Sequence, residues 1–189
     1  MELVPPATNA QLRHGAAVVR RPLLTDAAAI HGLVEDSETL DMNSRYLYLL
    51  LCRDFALTSR VAEINGEVIG FVTAYIPPDQ PNVLFIWQIA VAPSHRGCGV
   101  SMRMLTDLLA GLPESQSFTI EATITPSNIA SQYVFKSLAR RLGCEIRSGD
   151  GFNEALFAPE AHEAERMFYI GPLVIGPDKL GVQKKEVKP

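Results

Sequence analysis

"WQIAVAPSHRGCGVSMRMLTDLLA", residues 87–110, interrupts an apolar run with Pro93, Ser94, His95, Arg96 and two glycines before an amphipathic pattern begins. A strand that feeds through Gly97-Cys98-Gly99 into a helix leaves the first N–H groups of that helix unpaired and aimed at one spot. The positive end of the helix dipole adds to them, so the turn forms a seat for a diphosphate. Gly97 and Gly99 let the backbone approach a ligand without a Cβ in the way, and Arg96 adds charge at the rim. Val100, Met104, Leu105 and Leu108 share one stripe of the predicted helix, which ends at Gly111. Neither GxxxxGK[ST] nor GxGxxG with an acidic residue about 20 positions on occurs, which removes the P-loop and Rossmann readings.

Ahead of this turn, "NVLFIWQIAVA" is continuous enough in apolar character to predict a central strand buried on both faces. The preceding "SRVAEINGEVIGFVTAYI" alternates with period two on both sides of Asn65-Gly66, the pair that most readily takes the two positive φ angles of a type I′ hairpin turn. Earlier still, "AAVVRRP" reads as a first strand, and Thr25 offers an N-cap to a helix in which Ile30, Leu33 and Val34 share a face. "SRYLYLLLCRDF" predicts a second, largely buried helix. On the other side, "SFTIEATI" sends Phe118, Ile120, Ala122 and Ile124 one way and Thr119, Glu121 and Thr123 the other. A helix over 127–142 stops at Gly143, and "ERMFYIGPL" is the last strand. The order predicts a single α/β domain over 17–175, with a mixed, mostly antiparallel central sheet flanked by helices. Residues 1–16 and 176–189 read as a loose N-terminal segment and a disordered tail.

With 189 residues, 47% of them hydrophobic and 20% charged, the chain has enough material for one core and no need of a second domain. A formal net charge of -4 argues against a nucleic-acid partner, which calls for a basic face. The opening residues do not form an export signal, and "YLYLLLC" is too short to span a bilayer, so a cytoplasmic protein without a membrane partner is expected. Cys52, Cys98 and Cys144 are far apart and form no CxxC pair, which fits free thiols in a reducing compartment.

The turn resembles motif A of the Gcn5-related N-acetyltransferases, [QR]-x-x-G-x-[GA], here Arg96-Gly97-Cys98-Gly99-Val100-Ser101 with Ser101 in place of Gly or Ala. The resemblance spans residues 17–172 and implies that the turn binds the pyrophosphate of acetyl-CoA. It implies cofactor contacts also from Ile89, Ala90 and Val91, and from Asn128 and Ser131 in "TPSNIASQYVF". Many members place a tyrosine seven residues after that Asn to protonate the leaving thiolate; Phe135 stands there in this chain, and Tyr133, two positions off, points to another helix face.

Longer strings, among them "LDMNSRYLYLLLC", "YIPPDQPNVLFIWQIAVAPSHRGCG", "ITPSNIAS" and "HEAERMFYIGP", resemble one branch of that superfamily, the diaminobutyrate acetyltransferases of ectoine biosynthesis. The resemblance implies acetyl transfer from acetyl-CoA to the 4-amino group of a small zwitterion, in a homodimer, without metal. Such a substrate needs anionic partners for its amines and donors for its carboxylate. Asp41 and Asn43 lie just before the second helix, where they either meet the substrate or cap that helix, as Ser44 also can. Tyr46 is a substrate contact or core; Trp87 is a pocket wall or core; Glu121 and Thr123 face a cleft or a solvated sheet surface. His162 and Glu165, three apart, line the cleft or form a surface turn, and their spacing is not the HExxH of a zinc site. Because only a neutral amine attacks, a base must take its proton. Glu165 is the first choice, with His162 and Asp41 as competitors. Cys98, in a phosphate-binding turn, is not a nucleophile. Another small diamine or an aminoglycoside as acceptor, or an acetyl-CoA sensor without catalysis, are the competing readings.

Overall fold

The structure, a computed structural model, describes residues 17–174 apart from 38 and 115; the expectations for 1–16 and 176–189 fall outside the described residues. Asn65 and Gly66 take φ of 52° and 84°, closing a two-residue hairpin between β2 (Arg60–Ile64) and β3 (Glu67–Tyr75) as the dipeptide predicts. The short β1 (Val18–Arg20) pairs with β2, and β4 (Val83–Val91) follows β3 antiparallel. β5 (Ser117–Ile124), β6 (Ile146–Phe152) and β7 (Glu165–Val174) complete a sheet in the order β1-β2-β3-β4-β5-β7-β6. Only β4 and β5 run parallel, so the sheet is mixed and mostly antiparallel. β6, "IRSGDGF", carries too little apolar alternation to announce itself in the sequence; its pairing with β7 supplies what its side chains do not.

Helices α1 (Ala27–Glu35) and α2 (Arg45–Asp54) cover one face, packing Ile30, Val34, Tyr48 and Leu51 against Val61, Phe71 and Ala90. On the other face, α3 (Val100–Ala110) and α4 (Ile129–Leu142) bury Met104, Leu108, Phe135 and Leu138 with Val72, Leu84, Ile86, Phe118 and Ile120. Gly143 ends α4 in the left-handed region at φ 63°. None of the described helices is long and apolar enough to cross a membrane.

Three local expectations are corrected. Thr25 does not cap α1: it lies in a 3-10 turn, Leu24–Asp26, in which Asp26 accepts a hydrogen bond from the Leu23 N–H at 2.7 Å. α2 is not largely buried; Tyr46 and Leu49 face outward at 66% and 41% exposure, while Tyr48, Leu51 and Cys52 face the sheet. Strand β4 is not uniformly buried either. The β3 register pairs Thr73 with Gln88 but Ala74 with Ile86, so Trp87 is an extra residue, a β-bulge. Its effect is a change of phase: Leu84 and Ile86 face the α3/α4 core, whereas Ala90, also even-numbered, faces α1/α2. Apart from Gln88, the buried positions of both halves are apolar, so their sum reads in sequence as a nearly unbroken run.

Arg20 ties the start of the chain to this frame, donating to Asp26 at 2.6 Å and to Glu63 at 2.7 Å. Burial alone would raise the Asp26 carboxyl, but the bonds from Arg20 and the Leu23 N–H outweigh it and hold the group below the usual carboxylate range. A depressed folded pKa contributes stability that is present above the unfolded value of about 3.9 and lost as pH falls through the folded one. Asp26→Asn is therefore expected to cost about 1–3 kcal/mol at pH 7. The gap between variant and parent in urea unfolding should narrow as the buffer is taken to pH 3; a gap that does not change with pH would refute the ionic account.

Candidate active site

β4 and β5 share only three rows, Val83 with Thr119, Leu84 with Ile120 and Phe85 with Glu121. Beyond them the two strands diverge, and the facing edges of β4 and β5 open into a cleft in the middle of the sheet. Two cavities meet there. One, of about 490 Å³, runs along Ile89, Ala90 and Val91 to Arg96, Gly97, Gly99, Val100 and Ser101. The other, of about 190 Å³, lies between the 39–43 loop, β4, β5 and the start of β7. Thr39, Leu40, Ile89, Asn128 and Ser131 line both.

The larger cavity has the local geometry that the sequence predicts. Gly97 and Gly99 both take φ of 73°, and Gly99 is the residue before the first turn of α3, with nothing within 4 Å of the place a Cβ would occupy. The turn thus leaves its N–H groups open to an anion at the helix N-terminus. Arg96 curls back so that Nε donates to the Val91 carbonyl at 3.1 Å, which braces the turn against the end of β4. The Cys98 side chain packs on the main core and does not line the cavity, which leaves only its backbone to face an anion in the turn. Asn128 caps α4, accepting from the Ser131 N–H at 3.0 Å. Tyr133, set aside in the sequence, does line this cavity, while Phe135 is buried and closes the floor of the smaller one.

The smaller cavity gathers Asp41, Asn43, Trp87, Thr123, His162 and Glu165 from four separate stretches of chain. His162 Nε2 lies 3.2 Å from Asp41 Oδ2 and 3.9 Å from Glu165 Oε1, and the three groups come within 4.8 Å of one another. His162 Nδ1 donates to the Glu163 carbonyl at 2.6 Å, and the Phe157 ring stacks on the imidazole at 4.1 Å, so the ring's orientation is fixed. The Glu163 carbonyl, then Asp41 and Glu165, favour the imidazolium and raise the His162 pKa above its ordinary value despite partial burial. Asp41 keeps 72% of its side chain exposed, whereas Glu165 keeps 16% and its Oε2 is buried with no hydrogen-bond partner. Burial pushes the Glu165 carboxyl up; the Thr123 hydroxyl and the charge of His162 pull against it without prevailing.

Two expected substrate contacts are not in this cavity. Tyr46 faces outward because Ser44, whose hydroxyl accepts from the Leu47 N–H, starts α2 in a phase that turns Tyr48 inward. Glu121 lies in the last row where β4 and β5 are still paired, one pleat short of the opening, and burial raises its pKa. Conversely, Thr39, Leu40, Gln88 and Thr125 line the cavity without having been singled out. Gln88 had a signal, a lone amide inside "FIWQIAV"; the loop and turn residues had none.

Residues 26–139 match the acetyltransferase (GNAT) family. The L-2,4-diaminobutyric acid acetyltransferase of Virgibacillus pantothenticus is 43% identical over 152 residues, 80% of this chain and 96% of that protein. The chain belongs to the diaminobutyrate acetyltransferase family. The family's enzyme from Halalkalibacterium halodurans is 44% identical over 155 residues, 82% of each chain. A solved diaminobutyrate acetyltransferase from Paenibacillus lautus, in complex with L-2,4-diaminobutyric acid and coenzyme A, superposes with a TM-score of 0.76 at 37% identity, covering 85% of this chain and 98% of that one. Ard1 from Thermoplasma volcanium, at 18% identity and a TM-score of 0.64 over 82% of this chain, shares the fold.

Proposed function

We infer that this protein transfers the acetyl group of acetyl-CoA to the 4-amino group of L-2,4-diaminobutyrate, the acylation step of ectoine biosynthesis. The observation that carries the reading is the shared wall of the two cavities: an anion seat of a nucleotide-carrier kind opens, through Ile89, Asn128 and Ser131, onto a small chamber lined by two carboxylates and a histidine. When bound, acetyl-CoA supplies the activated acetyl group as a thioester.

The residues divide the remaining work. The substrate arrives with its amines protonated, since an aliphatic amine has a pKa near ~10. Asp41 and the His162/Glu165 pair give the chamber a negative side that receives ammonium groups. Among the described residues no Lys or Arg lines it, so the substrate carboxylate is met by neutral donors such as Asn43 and the Thr39 hydroxyl. Trp87 forms one wall of this small chamber, of about 190 Å³, which suits a small amino acid. Glu165, with a raised pKa and a buried free oxygen, takes the proton of the attacking amine, and Asp41 and His162 hold the charge balance beside it. Backbone N–H groups of Ile89 and Val91, which alternate away from β3 on the edge of β4 that β5 leaves unpaired, polarise the thioester oxygen. The amine attacks directly, the C–N bond forms as the C–S bond breaks, and no metal or enzyme-bound acyl group is required.

Thiol release from acetyl-CoA with diaminobutyrate, ornithine, lysine and putrescine, followed by NMR of the product, tests this. Turnover confined to diaminobutyrate with acetyl on N4 is expected. Tight acetyl-CoA binding with no release on any small diamine would overturn the assignment in favour of a sensor or a macromolecular acceptor. The same reading carries a homodimer in the cytoplasm: edge strand β6 ends in exposed Phe152 near exposed Leu156, and Cys52, Cys98 and Cys144 are all unbridged. Sedimentation at micromolar concentration checks the dimer.

A further inference from the structure

We propose that Gln88 is a positioning residue, which, braced by Tyr48, holds the Asp41 carboxylate against His162 by gripping the Asp41 backbone. The proposal rests on the acetyl-transfer reading for its kinetic consequence but not for its geometry.

The bulge at Trp87 turns Gln88 away from the α3/α4 core and toward α2, where it is 5% exposed. There the fully buried Tyr48 donates its hydroxyl to Gln88 Oε1 at 3.1 Å. Gln88 Nε2 donates in turn to the Asp41 carbonyl at 3.0 Å, which also accepts from Asn43 Nδ2 at 3.2 Å. The direction of this chain is forced. A carbonyl only accepts, so the NH2 end of the amide must face Asp41, its oxygen must face Tyr48, and the tyrosine must donate. The result is a rigid link from helix α2 through β4 to the loop that carries Asp41.

That loop needs such a link. The Asp41 side chain is mostly in solvent, and its bond to His162 Nε2, the one it makes among the described residues, spans 121 residues of sequence. An exposed ion pair alone holds little in place, because it loses side-chain entropy for a screened attraction. Fixing the backbone at Asp41 from beneath removes much of that entropic cost.

Gln88→Met keeps the volume and removes both hydrogen bonds; Tyr48→Phe removes only the brace and keeps the buried ring. The reporter is the His162 imidazole, followed by NMR titration of the free enzyme, so it needs no turnover. The groups facing that ring are Asp41 from the loop, Glu165 from β7, the Glu163 carbonyl beside it and the stacked Phe157. Asp41 favours the imidazolium, so loosening it lowers the His162 pKa. Both variants are expected to titrate lower than the parent, in the same sense as Asp41→Asn. Gln88→Met should add nothing further on an Asp41→Asn background. In kinetics, KM for the diamine should rise about three- to tenfold, the worth of one ordinary hydrogen bond, with KM for acetyl-CoA within twofold of the parent. A lower Tm with unchanged His162 titration and unchanged KM in both variants would overturn the proposal and leave the pair a structural one. If the parent enzyme fails to acetylate diaminobutyrate, the functional reading falls, and the titration still decides the positioning role.

Discussion

Glu165→Gln is expected to lower kcat by about 10²- to 10⁴-fold, the usual contribution of a positioned general base. The substitution is nearly isosteric, and it puts an amide where one carboxylate oxygen is buried without a partner, so the fold should tolerate it. KM for acetyl-CoA should hold, because Glu165 is not among the residues of the larger cavity. The pH profile gives a second readout. The parent gains activity as Glu165 loses its proton, and burial sets that rise above the ordinary carboxylate range; the rise should vanish in the variant. Retention of more than a tenth of the parental kcat would move the base to His162 or Asp41. Asp41→Asn then separates those two, since it lowers the His162 pKa and leaves the imidazole itself in place.

Gly99→Val should act on the other substrate. Gly99 takes φ of 73°, a conformation that costs a branched residue about 1–2 kcal/mol, and the added side chain projects into the open seat at the start of α3. Losing charge-assisted contacts to a phosphate should weaken acetyl-CoA binding by about ten- to a hundredfold. Gly66→Val is the matched control: Gly66 takes φ of 84°, also meets nothing within 4 Å, and lies in the remote β2–β3 hairpin. Both variants should lose Tm, but only Gly99→Val should raise KM for acetyl-CoA. Equal KM values in the two variants would mean that the turn is a structural feature and not the seat.

What the sequence discloses, and what it hides, divides along a physical line. Local conformational rules announce themselves: Asn65-Gly66 encodes its turn, Gly143 its helix stop, and Gly97 and Gly99 the tight turn that opens α3. Residue roles that depend on phase do not. Tyr46 and Tyr48 are chemically identical and two positions apart, and the helix start at Ser44 decides which of them is buried. Glu121 and Thr123 share a strand face, but the place where β4 parts from β5 puts one outside the opening and the other inside. The bulge at Trp87 is hidden because, Gln88 apart, the residues on both sides of it are apolar and the phase change leaves no break in the run. Asp41, His162 and Glu165 were separate candidates in the sequence, and their convergence is a property of the tertiary fold alone.

The three-row seam between β4 and β5 also makes this protein's durability depend on its metabolic surroundings. A molecule that fills the gap between the strands binds the native form only, and mass action then raises the free energy of unfolding by RT ln(1 + [L]/Kd), about 2.7 kcal/mol at a hundredfold excess over Kd. In a cell rich in acyl donor the enzyme is more rugged than the purified chain. When the donor concentration falls toward its Kd, that added stability is lost and the unfolded fraction open to proteases is expected to grow.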